Sequence, residues 1–176
     1  MHRKETNLRI RQETENDVAA VYQLVKTAFA TAQHSDGTEQ DLVAALHTSG
    51  AFVPELSLVA EMDGRLAGYI LFTEAQVGAD TVLALAPLAV LPKFQRQGVG
   101  AALVAKGHQI AANLGYTHSL VLGSETYYPR FGYRPAAQSG ITVPEGFPSE
   151  NFMVAALRPG VKPLHGAAAY AKEFGI

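Results

Sequence analysis

The sequence predicts a mixed α/β fold, in the α+β sense, and three observations carry that reading. Two β-like runs, residues 55–62 and 65–77, flank Asp63-Gly64, a dipeptide that accepts the positive backbone angles of a tight hairpin turn. A longer apolar run, residues 80–92, reads as a strand buried on both faces. It feeds into residues 98–115, where Val99, Leu103, Ile110 and Leu114 fall at helical spacing. Antiparallel strands come first, and one buried strand then leads into a long helix; the predicted order is β α α β β β α β α β.

Residues 8–12, LRIRQ, alternate apolar and polar as a half-buried strand does. Thr14 is placed to cap a first helix, with Asp17 three residues later and Val18, Val21, Tyr22, Val25 and Phe29 on one face. A polar break, QHSDG, precedes a short second helix in TEQDLVAALHTSG, whose stripe is Leu42, Val43 and Leu46 and whose end lies near Gly50. The hairpin over residues 56–77 and the buried strand follow. Within that strand Pro87 has no N–H for the ladder and predicts a bulge or local splay; Pro92 ends it. Gly115 closes the long helix. THSLVLG is then a strand, ETYYPRFG a short helical turn, and residues 151–159 a late strand behind a glycine- and proline-rich connection. No internal repeat, low-complexity tract or composition break appears, so residues 1–176 are read as one domain.

Composition narrows the chemistry. Hydrophobic residues make up 48% of the chain, charged residues 17%, and the formal net charge is −2, which argues against disorder and against electrostatic capture of nucleic acid. Cysteine is absent, so disulfides, thiolate metal sites and a cysteine nucleophile drop out together. His34, His47, His108, His118 and His165 lie far apart with no HxH or HxxxH spacing, and no metal is expected. The most apolar window, residues 81–92, falls well short of the ~20 residues that span a bilayer. The charged start, MHRKETNLRI, has no apolar stretch behind it; neither membrane nor export signal is read, and the cytoplasm is the expected location.

The stretch KFQRQGVGAALVAKG, residues 93–107, is the most specific feature. Gln97, Gly98, Val99 and Gly100 stand where a buried strand gives way to a helix. Glycine there lets the backbone approach a ligand closely, and the unpaired N–H groups of a first helical turn suit phosphate. Arg96 adds a full charge. The plain alternative is a strand-to-helix turn in which glycine serves packing alone. A nucleoside-triphosphate loop needs Lys-Ser or Lys-Thr after its glycines, and this helix continues Ala101-Ala102-Leu103. A dinucleotide fingerprint needs an early βαβ unit and an acid about twenty residues on; the upstream hairpin and Asn113-Leu114-Gly115 supply neither. A pyrophosphate cradle of another kind is left.

Leu88-Ala89-Val90-Leu91-Pro92, followed by Gln95-Arg96-Gln97-Gly98-Val99-Gly100, resembles motif A of the GNAT superfamily of N-acetyltransferases: Gln or Arg, two residues, Gly, one residue, Gly or Ala. Tyr128-Pro129-Arg130-Phe131-Gly132-Tyr133 resembles the family's later tyrosine segment. The likeness covers roughly residues 8–135, and the chain is similar to the YhbS-like subgroup. It implies a GNAT-type mixed, mostly antiparallel sheet with a central splayed strand pair and flanking helices. It also implies acetyl-CoA as co-substrate, with no metal. The pyrophosphate would lie on Gln95, Arg96, Gln97, Gly98, Val99 and Gly100, and the pantetheine arm along Leu88, Ala89 and Val90.

The implied reaction is acetyl transfer to a primary amine by direct attack in a ternary complex, since no cysteine can carry an acyl intermediate. Such a transfer needs an uncharged nucleophile, a stabilised oxyanion and a proton for the departing thiolate. A main-chain N–H near Leu88 to Val90, freed by the irregularity at Pro87, is the expected oxyanion donor. The resemblance makes Tyr128 the acid: a phenol, ordinarily near pKa ~10, keeps its proton until a basic thiolate develops beside it. Tyr127 is assigned to packing or to lining the acceptor site. Many family members carry a glutamate on the strand before motif A, but residues 81–92 hold neither carboxylate nor histidine. Glu125 and Glu74 are the candidate bases, acting through water, and an acceptor of low pKa needs none. His34, with Asp36 and Glu39, falls where the family admits its acceptor, a small-molecule or protein amine. The late strand offers an edge for a homodimer. Two other functions stay open: a catalytically silent acyl-CoA-binding sensor or regulatory module, which shares the cradle but not the use of Tyr128, and an interaction domain that binds no coenzyme.

Overall fold

The computed structural model describes residues 7–176. The first six residues, part of the charged start, lie outside them. The chain runs β1 (Leu8–Gln12), α1 (Val18–Phe29), α2 (Glu39–Leu46), β2 (Phe52–Met62), β3 (Arg65–Val77), β4 (Asp80–Val90), α3 (Val99–Asn113) and β5 (His118–Leu122). Four short strands complete it: β6 (Arg134–Pro135), β7 (Ile141–Thr142), β8 (Phe152–Ala156) and β9 (Gly166–Ala169). The sheet has the order β1-β2-β3-β4-β5-β8-β6, with β9 paired to the far end of β3. Along that path β4 and β5 are parallel and the other recorded pairs antiparallel. No helix among the described residues is long and apolar enough to cross a membrane.

The β2–β3 turn forms as its dipeptide requires: Asp63 has φ 50° and Gly64 φ 79°. Strand alternation then divides the core. Ile70 and Phe72 face α3, packing with Leu83, Leu85, Val99, Leu103 and Val104. Tyr69 and Leu71 face α1 and α2, packing with Val21, Leu24, Val25, Val43 and Leu46. A Cβ on Gly107 would sit 2.2 Å from the Phe72 ring, so glycine at this turn of α3 is what lets the helix lie flat on the sheet.

Two expectations about α1 change. An initial 3-10 turn, Glu15–Asp17, precedes the helix and rotates its apolar stripe, leaving Val18 44% exposed and bringing in Leu24. Thr14 does mark the start, but its N–H and hydroxyl both donate to the Asp17 carboxylate, at 2.8 and 3.0 Å. Arg11 grips the same carboxylate with both terminal nitrogens, holding Asp17 well below the usual carboxylate range. The late strand is β8, flanked by β5 on one side and by β6 at Met153 and Val154 on the other. The outer side of β8 is thus covered by β6 over two of its five residues.

A buried polar chain ties α2 to the sheet. His47, just past the end of α2, places Nδ1 on the Val43 carbonyl and Nε2 on the Glu13 carboxylate, which also accepts from Ser57, itself bonded to the Tyr69 hydroxyl. Both ring nitrogens face groups that only accept, an arrangement that favours the imidazolium, and the Glu13 carboxylate raises the His47 pKa. A raised histidine pKa contributes stability that is full below the unfolded value of ~6.5 and is lost as pH climbs through the folded value. The melting-temperature advantage of the wild type over His47→Gln is therefore largest in mild acid and shrinks from neutral to alkaline pH. A gap that does not vary with pH would remove the charged pair.

Candidate active site

The site begins where β4 and β5 part. Their parallel pairing spans Leu83↔Ser119, Ala84↔Leu120 and Leu85↔Val121. Between the β3–β4 pairs Phe72↔Leu85 and Ile70↔Leu88, β4 carries one extra residue, so the bulge predicted at Pro87 is present. Beyond it β4 stays with β3 as far as Val90, while β5 ends at Leu122 and turns off through Gly123 and Ser124. A cleft opens between them.

Main-chain groups on the cleft side of β4 have lost their neighbour strand. Leu91 donates to the Ala67 carbonyl, and antiparallel alternation puts Ala89, opposite Tyr69, on that same β3-facing edge. Leu88 and Val90 thus turn their main-chain groups toward the cleft. Of the three residues assigned to the pantetheine arm, Leu88 and Val90 line the cleft, whereas the Ala89 side chain is buried in the core shared with α1.

At the end of β4 a 3-10 turn, Pro92–Phe94, leads to the glycine loop. Arg96 has φ 60° and Gly98 φ 84°, with Gln97 between them at negative φ, an alternation that turns successive N–H groups into one concavity. The first turn of α3 follows at once, its leading amides unpaired within the helix and its dipole positive. The side-chain amides of Gln95 and Gln97 brace the loop, donating to the carbonyls of Val90 (3.1 Å) and Lys93 (3.0 Å). Val99, 1% exposed, roots the helix in the core. Arg96 projects to solvent. A Cβ on Gly100 would lie 2.7 Å from the Tyr127 hydroxyl, so the closeness of phenol and helix depends on glycine.

The opposite wall comes from the tyrosine segment. Ser124 O accepts the amides of Tyr127 and Tyr128, and a 3-10 turn, Tyr128–Phe131, presents both rings. Arg130 lies 4.6 Å over the Tyr127 ring and donates Nε to the Tyr127 carbonyl. Tyr127 packs edge-on against Tyr128 and Phe131, as one of its two expected roles requires, and with Arg130 it lines the side of the cleft beside the glycine loop rather than the chambers around His34. This side, about 590 Å³, is lined by Leu88, Val90, the loop, Tyr127, Tyr128 and Arg130, and its charged groups are Arg96 and Arg130. No motif distinguished Arg130 in the sequence, because its role comes from the turn that folds it back over Tyr127.

Tyr128 stands at the centre. Its ring edge reaches to 2.4 Å from where a Cβ on Gly123 would be, and it meets Tyr127 and Tyr133 edge-on at 5.1 and 5.7 Å. Burial pushes its pKa up, so the phenol holds its proton at neutral pH. The hydroxyl makes no hydrogen bond to another protein group among the described residues. Tyr128 lines both the cleft beside the glycine loop and a second chamber of about 510 Å³, bounded by Phe29, His34, Glu39, Leu42, Pro87 and Leu122. An outer chamber of about 670 Å³ continues past His34 to Glu125, Pro148 and Asn151.

Of the candidate bases, Glu125 lies in this outer chamber, one carboxylate oxygen held by the Asn151 amide at 2.7 Å. Glu74 is elsewhere: it pairs with Leu83, before the splay, and accepts the Tyr116 hydroxyl near the far end of α3. Strand register separates it from Tyr128, a separation the one-dimensional sequence does not display. No group of three or more metal-ligating side chains occurs among the described residues.

Among the described residues, a nine-stranded sheet split beside a helix-capped glycine loop, with a tyrosine turn across the split, defines a class. The chain belongs to the acetyltransferase (GNAT) family, whose model matches residues 18–133. Among individual proteins it is similar to the uncharacterized N-acetyltransferase YjhQ of Escherichia coli, 40% identical over 118 residues, which are 64% of this chain and 65% of YjhQ, just under two thirds of that relative's length. The crystal structure of Escherichia coli YhbS in complex with CoA matches with a TM-score of 0.85 at 27% identity, covering 100% of this chain and 96% of that one. A GNAT acetyltransferase from Brucella melitensis in complex with acetyl-CoA matches with a TM-score of 0.79 at 29% identity, covering 96% and 98%. The fold expected from the sequence is thus the one found.

Proposed function

We propose that this protein is an acetyl-CoA-dependent N-acetyltransferase that transfers the acetyl group to a primary amine by direct attack in a ternary complex. One observation carries the reading: the open edge of β4 and the amide concavity at the mouth of α3 share one cleft, and that cleft contains Tyr128. The group fits. The amides from Gln97 through Ala101 suit a pyrophosphate, Arg96 and Arg130 add charge, and Gly100 keeps the first turn bare, where a Cβ would meet Tyr127. The vacated edge at Leu88 and Val90 suits the amide groups of a pantetheine arm, as an added strand would.

With the thioester beside Tyr128, the neutral amine attacks the carbonyl carbon while an N–H of the open edge, at Leu88 or Val90, stabilises the oxygen. The carbon–sulfur bond breaks and Tyr128 gives its proton to the sulfur. The new amide nitrogen sheds its proton through water in the outer chamber, beside Glu125, and the phenolate recovers one from solvent. Burial keeps the Tyr128 phenol protonated at rest, and the same water-poor cleft makes the developing thiolate more basic, which draws the proton to sulfur. The conservation of matter is complete: amide and free thiol leave, and the enzyme is unchanged.

The experiment is a titration with CoA followed by thiol release from acetyl-CoA in the presence of simple amines. Saturable CoA binding together with amine-dependent thiol release is the expected result. Binding without release would make the protein an acyl-CoA-binding module, and no thermal shift with CoA would end both readings.

A further inference from the structure

The two halves of the trench differ in charge. Around the cofactor cleft the charged side chains are Arg96 and Arg130, whereas the two acceptor chambers contain Glu39, Glu125 and His34 and no lysine or arginine. Glu39 stands in the first turn of α2, on the wall of the inner chamber that also contains Tyr128. Its Oε2 is shielded from solvent and has no hydrogen-bond partner among the described residues. A sheltered carboxylate oxygen with no donor is costly unless something supplies one.

We propose that Glu39 is the specificity-determining residue for the acceptor, and that it holds an ammonium group of a substrate carrying at least two amino groups. This rests on the acetyltransferase reading above. A single amine cannot satisfy both demands, because the attacking nitrogen must be neutral while the group on Glu39 must be charged. A diamine does both. Glu125, in the outer chamber, extends the same preference to longer polyamines. The apolar lining between them, Phe29, Leu42, Pro87 and Leu122, accommodates the intervening methylenes.

The test is calorimetric, so that it does not depend on turnover. Diaminobutane and n-butylamine are each titrated into the CoA-saturated protein, using wild type, Glu39→Gln and Tyr128→Phe. Diaminobutane is expected to bind at least tenfold more tightly than n-butylamine. Glu39→Gln removes that difference without lowering CoA affinity or the melting temperature, and Tyr128→Phe retains the preference. Equal affinity for the two amines, or a preference that survives in Glu39→Gln, overturns the proposal. Failure of the acetyltransferase reading shows differently, as diaminobutane binding without thiol release from acetyl-CoA.

Discussion

Tyr128→Phe lowers amine-dependent thiol release by ~10²–10⁴-fold, the usual contribution of a general acid, while acetyl-CoA affinity stays close to wild type. The split follows from where the hydroxyl lies. The ring packs between Tyr127, Tyr133 and the bare face of Gly123, and phenylalanine keeps all of those contacts. What disappears is one oxygen with no protein partner among the described residues, so neither the cradle nor the fold is disturbed. Steady-state kinetics beside a direct CoA titration separates the two effects. Turnover within about twofold of wild type, far from that general-acid range, would take the acid role from Tyr128.

Gly98→Val acts at the other end of the cofactor, with the opposite signature. A left-handed conformation costs an L-residue about 1–2 kcal/mol, and more when it is β-branched. Gly98 has φ 84°, yet no atom lies within 4 Å of where its Cβ would be. The penalty is therefore local strain rather than a clash, and the loop relieves it by giving up the backbone alternation that gathers its amides. Converted to affinity, 1–2 kcal/mol weakens acetyl-CoA binding by roughly 5–30-fold. Turnover at saturating acetyl-CoA should fall little, because Tyr128 and the edge of β4 are untouched. Wild-type affinity in this variant would show that the amide concavity does not hold the diphosphate.

How far the sequence could be read differs from one element to the next. Asp63-Gly64 and the glycines of the loop determine local backbone angles, and the hairpin turn and the positive-φ turn ahead of α3 appear where those residues placed them. The extra residue in β4 was visible in Pro87 because the missing N–H is a local property. Position in space was less accessible. Glu74 read as a possible base until register set it beside Leu83 and Tyr116, and of the two roles open to Tyr127 the packing one is realised, its hydroxyl brought close to α3 by Gly100. Strand β9, with the sequence GAAA, has no alternation to reveal it; it exists through pairing with Gln76 and Val77 on β3. Val18 left the apolar face because a 3-10 turn ahead of α1 changed the phase, and the helical period alone contains no such information.

The Phe72 ring lies where a Cβ on Gly107 would be, and this seats α3 at its midpoint against the central strand. A helix so seated can neither roll nor slide without first moving an aromatic ring out of a filled core. Its N-terminal end, where the glycine loop lies, is consequently held by packing two turns away. On the proposed reading, association then demands little ordering of the protein, because the entropy that a floppy loop would forfeit on capture has already been surrendered during folding.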